Sequence, residues 1–150
     1  MILISHRGNT RGPVPGMEND PRHVVNALAM GYNVKIDVWK VQGRTYLGHD
    51  DPEYKTDDTF LRQGRLWCHA KNLEALDHLL RLGVHCFWHQ DDEYTVTSRG
   101  YIWAYPGSRL ESGLAICVMP ERSVGVGISK CVGICSDHIE EYKWFAKEKE

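Results

Sequence analysis

Long apolar runs are missing from this sequence. The longest, such as "LWCHA" and "AICVM", have the length of a strand, whereas a membrane-spanning helix needs about 20 consecutive apolar residues. The amino terminus "MILISHRGN" turns polar at its fifth residue, too early for the apolar core of a signal peptide. The expectation is a soluble, cytoplasmic protein with no membrane span. Charge of one sign is also lacking. The net charge is −2, so electrostatics gives no reason to expect nucleic acid as a partner. No CxxC pair occurs, and the CxxxC of Cys131 and Cys135 has no matching His pair, which argues against a zinc centre. The other cysteines are Cys68, Cys86 and Cys117, and an odd total of five leaves one unpaired under any full disulfide scheme. All five lie in or beside apolar runs and read as buried free thiols. Repeats and linkers are absent too, so residues 1–150 read as a single domain, long enough to bury a sizeable core.

What is present is ordinary in bulk and unusual in detail. A composition of 42% apolar and 25% charged residues excludes a disordered or fibrous chain. Eight histidines and five tryptophans suggest a polar, aromatic pocket.

The chain opens with a strand at Ile2–Ser5 that ends in "HRGN", followed by a Gly/Pro-rich loop. Asp20 as cap and Pro21 at the first helical position start a helix with Val24, Val25 and Leu28 on one stripe, and Gly31 ends it. A strand over 34–40 follows, with a hairpin-like extension through "QGR" and "TYLGH" that returns His49 towards the strand end. "RLWCHA" is another strand. Asn72 caps a helix over 73–82 that stops at Gly83, and "HCFWHQ" continues as a strand. Four further strand-like runs come next, "YTVTS", "YIWAYPG", "AICVMPE" and "VGICSDH", before a helical tail from Ser136 to about Lys147. Strand–helix–strand alternation argues for a parallel sheet. Seven or eight short strands then suggest a compact β/α barrel of the TIM type with several outer helices reduced or missing, since the full form needs about 250 residues. A doubly wound open sheet is the other possibility, because pattern alone does not report closure.

Polar residues gather where these strands end: His6 and Arg7, Asp37, His69 and Lys71, His89, Tyr105, Glu121 and Asp137. In a parallel barrel those ends form one rim, where a site belongs. Strand alternation puts Lys35 and Asp37 of "NVKIDVW" on one face, about 6.6 Å apart at the usual rise. Histidines of near-neutral pKa can serve as general acid and base. Arg7 and Lys71 can neutralise an anion, and Glu18 and Asp37 offer oxygen ligands to a hard cation. Acid, base, cation and anion clamp together suit phosphodiester cleavage, although other anionic substrates fit as well.

The motifs "SHRGN" at 5–9, "MEN" at 17–19, "KID" at 35–37 and "GHD" at 48–50 resemble, in order and spacing, those of the glycerophosphodiester phosphodiesterases. The resemblance covers the first fifty residues closely and the middle of the chain only loosely. It implies a barrel that hydrolyses small glycerophosphodiester-like molecules, with His6 and His49 as general base and general acid. Arg7 and, from "HAK", Lys71 would bind the phosphate, with His89 and Lys35 beside it. Glu18 and Asp37 would ligate a divalent cation, Ca²⁺ or Mg²⁺.

Two positions depart from the family pattern. His69 stands where a carboxylate is usual, which would make it an imidazole metal ligand better suited to a transition metal. Lys35 stands where the family has a glutamate, and losing acidic ligands weakens a hard-cation site. Three readings therefore stand: a metal-assisted phosphodiesterase, a lapsed enzyme that binds a phosphorylated ligand, and a metal-free site in which the Lys35 ammonium supplies the fixed positive charge.

Overall fold

A computed structural model describes residues 1–123, 125 and 127–148. The first strand, β1 (Ile2–His6), leads through the Gly/Pro loop to helix α1 (Pro21–Ala29) and strand β2 (Asn33–Val41). Strands β3 (Arg44–Leu47) and β4 (Tyr54–Thr56) form an antiparallel extension of β2, as the hairpin signal at Gln42–Gly43 predicts. After the single turn α2 (Asp58–Leu61) come β5 (Leu66–Ala70), α3 (Leu73–Leu82), β6 (Cys86–Phe87) and β7 (Tyr94–Val96). The chain then runs through β8 (Ile102–Ala104), β9 (Ala115–Val118) and β10 (Gly133–Ser136). The tail is not one helix. Ser136 still belongs to β10, a 3-10 turn covers Ile139–Tyr142, and α4 spans Lys143–Glu148.

The helix boundaries follow local chemistry. The Asp20 side chain accepts from Arg22 N, and Pro21 occupies the first turn, where its missing N–H leaves no helix bond unmade. Asn72 accepts from Ala75 N to start α3, and Gly83, at φ 69°, takes the left-handed conformation that closes it. The apolar stripes of the two helices, Val24, Ala27 and Leu28 on α1 and Ala75 and Leu79 on α3, pack on Val34, Ile36 and Val38 of β2 and on Leu66, Cys68 and Ala70 of β5. Each fully buried side chain of Val or Leu size stabilises by roughly 1.5–3 kcal/mol relative to exposure. Cys68, Cys86, Cys117 and Cys135 are buried free thiols, and Cys131 is buried as well.

Strands β1, β2, β5, β6, β8, β9 and β10 run parallel to their neighbours in one sheet, and β3, β4 and β7 join it antiparallel. Its main path is β4-β3-β2-β1-β10-β9-β8-β7, with β5 and β6 branching from β2. The expected closed barrel is not formed: the sheet is a curled half-barrel without a ring of surrounding helices. Among the described residues β6 ladders only with β5, and β7 only with β8. The reason is local. β6 is two residues long, and β7 folds back antiparallel along β8, so the outer edge of β8 is already paired. Isolated bonds, Ser98 N to Cys86 O and Thr95 Oγ1 to Trp88 O, tie the two edges without a ladder. Side chains fill the concave face instead: Ile4, Trp67, Phe87, Trp103, Ile116 and Cys135 pack there, with Phe87 and Trp103 rings 4.7 Å apart. No helix among the described residues is long and apolar enough to cross a membrane.

Candidate functional site

Alternation along the parallel strands sends His6, Lys35, Asp37, His69 and Asp137 to the concave face, above the apolar floor, at the carboxyl rim. Asp37 pairs in register with His69, Lys35 with Trp67, and His6 with Lys35. A cavity of about 490 Å³ opens there, lined by His6, Arg7, Glu18, Lys35, His49, His69, His89 and Asp137 on its ionic side. Trp103, Tyr105, Pro106, Val118 and Met119, from β8, β9 and the loops after them, line it as well. The cavity thus has a charged part on β5, β2, β1 and β10 and an apolar part on β9 and β8.

The turn after β1 is shaped for the site. Arg7 (φ 58°) and Gly8 (φ 93°) both adopt left-handed backbone, and a Cβ at Gly8 would lie 2.6 Å from His23 Cδ2. Asn19 (φ 64°) and Met119 (φ 49°) are strained in the same sense. Three of the five non-glycine residues with positive φ among the described residues, Arg7, Asn19 and Met119, therefore cluster at this rim. Backbone strain of this kind collects at functional sites.

Asp37 is wholly buried and saturated with donors. Oδ1 accepts from Lys35 Nζ at 2.6 Å and from His69 Nδ1 at 3.0 Å. Oδ2 accepts from Asn19 Nδ2 at 3.0 Å and faces Arg7 Nε at 3.1 Å. Burial alone would raise its pKa, but Lys35 and the hydrogen bond from His69 hold it well below the usual carboxylate range. Burial pulls Lys35 down, and the Asp37 carboxylate opposes that pull, so the pair stands as ammonium and carboxylate. Asn19, from "MEN", braces the strand through both amide atoms, because its Oδ1 also accepts from Asp37 N at 2.9 Å.

The two histidines expected as base and acid differ in their partners. His6 is buried and meets Asp137 Oδ1 through Nδ1 at 2.9 Å. A carboxylate accepts, so Nδ1 carries the proton, and Nε2, with no hydrogen-bond partner among the described residues, is left on the cavity side. Burial pushes the His6 pKa down to about 4; the Asp137 bond pulls it up, and Lys35 and Arg7 push it lower. His49 is more open, at 43% side-chain exposure. Arg7 Nη2 donates to its Nδ1 at 2.6 Å, so Nδ1 is an acceptor here, and the same nitrogen is 3.7 Å from Asp37 Oδ2. Its loop is held by Gly48 N donating to Asp37 O and Trp39 Nε1 donating to Gly48 O.

The remaining expected residues divide. Glu18 reaches the cavity, but its oxygens accept from Asn9 Nδ2 at 2.8 Å and Arg7 Nη1 at 3.3 Å. His69 sends Nδ1 to Asp37 and Nε2 to His89 O at 3.1 Å, with its ring stacked on Phe87. Nδ1 donates to Asp37, and Nε2 is turned to the His89 carbonyl, so no His69 lone pair faces open space where a metal could sit. His89 lies against Tyr105 and His69, with ring centroids 5.8 and 5.7 Å away, and burial lowers its pKa. Lys71 is displaced from this group: it lines an adjoining hollow of about 340 Å³ with His49, His69, His89 and Tyr105.

The set Glu18, Asp37 and His69 therefore does not fit a divalent cation. No group of three or more His, Cys, Asp or Glu side chains suited to a metal is formed among the described residues, and the oxygens and nitrogens that would coordinate one are occupied by Lys35, Arg7, Asn9, Asn19 and His89. The Lys35 ammonium fills the space beside Asp37 Oδ1.

Sequence reasoning missed two residues. Asp137 is placed at the rim but given no role, and Asn9 is not singled out, yet Asn9 Nδ2 bridges Glu18 and Asp137 at 2.8 Å each. The signal for Asp137 was its place directly after a strand's carboxyl end. Compared with family models, characterised proteins and solved structures, the chain matches none.

Proposed function

We propose that this protein hydrolyses a small phosphodiester, glycerophosphodiester-like in its motifs, by histidine acid–base chemistry without a metal ion. The observation that carries the reading is His6 with an open Nε2 beside an Arg7-paired His49, above a buried Lys35–Asp37 ion pair. Lys35 and Arg7 attract the phosphoryl oxygens and stabilise the charge that builds on them. His6 Nε2 takes a proton from the attacking water as its oxygen bonds to phosphorus. A phosphate that draws the Arg7 guanidinium towards itself frees His49 Nδ1 to take up a proton. The imidazolium then gives its Nε2 proton to the departing alkoxide as the second phosphorus–oxygen bond breaks.

A second reading, a module that holds a phosphorylated ligand without cleaving it, is favoured by the saturation of Asp37. One assay decides between them. Glycerophosphocholine and bis(4-nitrophenyl) phosphate are incubated with the protein in EDTA and with Ca²⁺, Mg²⁺ or Zn²⁺. Turnover in EDTA that His6→Ala abolishes supports the metal-free enzyme. Turnover only with an added cation overturns the metal-free mechanism. Phosphate binding by calorimetry without turnover under any condition supports the binding module.

A further inference from the structure

We infer that Asp137 is a positioning residue that fixes the tautomer of His6, holding the proton on Nδ1 so that the Nε2 lone pair faces the cavity. For its role in turnover the inference rests on the phosphodiesterase reading above; for the state of the imidazole it does not.

Free neutral histidine prefers its proton on Nε2, which would leave His6 with a donor, not a base, facing the substrate. The structure reverses that preference with one contact. Asp137 Oδ1 sits 2.9 Å from His6 Nδ1, both side chains are buried, and the carboxylate can only accept. The carboxylate is itself oriented. Asn9 Nδ2 donates to the same oxygen at 2.8 Å, while Asn9 Oδ1 takes a bond from His23 Nε2 at 3.0 Å and lies 3.3 Å from Val14 N. Oδ2 faces Arg122 Nη2 at 3.8 Å near the cavity mouth. Asp137 cannot rotate without breaking these contacts, and the imidazole plane is fixed with it.

The same contact opposes a problem of charge. His6 faces Lys35 of β2 and Arg7 of its own turn, two cations that disfavour the imidazolium formed when it accepts a proton. Asp137, directly after β10, is the carboxylate on the other side. Burial would raise its pKa, and the bond from His6 holds it down, so it stays ionised. A base between two ammonium-type charges works only if such a carboxylate shares the developing charge.

The test reads the ring directly. Nitrogen–proton correlation NMR of the wild type near neutral pH should show His6 Nδ1 protonated and Nε2 bare. Asp137→Ala should move the proton to Nε2 and lower kcat about 100-fold or more on bis(4-nitrophenyl) phosphate, with KM changed by less than about 3-fold. Asp137→Asn keeps an acceptor at the Oδ1 position but removes the charge. It should retain the tautomer, lower the His6 pKa further and reduce kcat, and it decides the matter if the alanine variant does not fold. A wild-type His6 protonated on Nε2, or an Asp137→Asn protein with an unshifted His6 titration and unchanged kcat, overturns the inference. If no diester is turned over, the phosphodiesterase reading fails, while the NMR result still decides whether Asp137 sets the tautomer.

Discussion

Lys35 Nζ lies 2.6 Å from Asp37 Oδ1, two residues along the same strand, with both side chains almost wholly out of solvent. A pair of this kind is weak evidence for stability, because desolvating both charges offsets their attraction, but removing one partner strands the other. Lys35→Met should therefore cost about 3 kcal/mol in urea unfolding, while Arg7, Asn19 and His69 keep Asp37 partly satisfied. Lys35→Glu should make the site a cation site: its melting temperature should rise with millimolar Ca²⁺, whereas that of the wild type should not move. A wild type stabilised by Ca²⁺ would contradict the ammonium's role.

Protonation of His6 links this site to acid stability. Its pKa is about 4 in the fold against an ordinary value of 6.5. Above pH 6.5 the imidazole is neutral in both the native and the unfolded chain. Between those values the unfolded chain binds a proton that native His6 does not, so stability falls as the pH drops through the window. Below about pH 4 both states are protonated and this loss is complete, at about 3 kcal/mol for the single group. His85, held down to about 4 by burial and Arg99, acts in the same direction. Urea unfolding from about pH 7 to about pH 4 measures the slope, and a flat profile would refute it. In catalysis the same group should set the acid limb of kcat/KM in the free enzyme at about pH 4 rather than 6.5.

Much of this was legible in residues that act locally. Asp20, Asn72 and Gly83 mark helix ends because capping depends on the few residues around them. The alternation of "NVKIDVW" puts Lys35 and Asp37 on one face because side-chain direction follows from the strand itself. Closure was not legible. It depends on whether distant edges pair, and β6, only two residues long, ladders with β5 alone, which no periodicity reports. The site divides the same way. His6, Arg7 and His49 announce themselves by motif. Asp137, 131 positions from His6, becomes a partner only through the pairing of β1 with β10.

The two histidines should separate by leaving group. A base is needed whatever departs, so His6→Ala should lose about 100-fold or more on every diester. An acid is needed only when the departing oxygen is strongly basic. His49→Ala should therefore lose a comparable factor on glycerophosphocholine, whose leaving group is an alkoxide, and less than about 10-fold on bis(4-nitrophenyl) phosphate. Steady-state kinetics on the two substrates gives the comparison. Equal losses on both for His49→Ala would show that His49 positions the phosphate instead of protonating the leaving oxygen.

The Gly48 position ties this chemistry to the fold. Its backbone bridges two parts of β2: N donates to Asp37 O, and O accepts from Trp39 Nε1 at 2.8 Å. These bonds bring His49 against Arg7 and Asp37. A Cβ at this position would run into Asp51 O and stand 3.0 Å from Glu53 N, both backbone atoms that cannot swing aside like a flexible side chain. Gly48→Ala must then move the loop, at about 1–3 kcal/mol for the overpacking, and His49 moves with it. Activity on glycerophosphocholine should fall at least about 10-fold, since proton transfer demands near-contact geometry. Trp39 fluorescence should shift as its indole loses the carbonyl. If the Trp39 signal moved while activity held, the loop would be displaced without His49 mattering to the reaction, and the acid role given to His49 would have to be withdrawn.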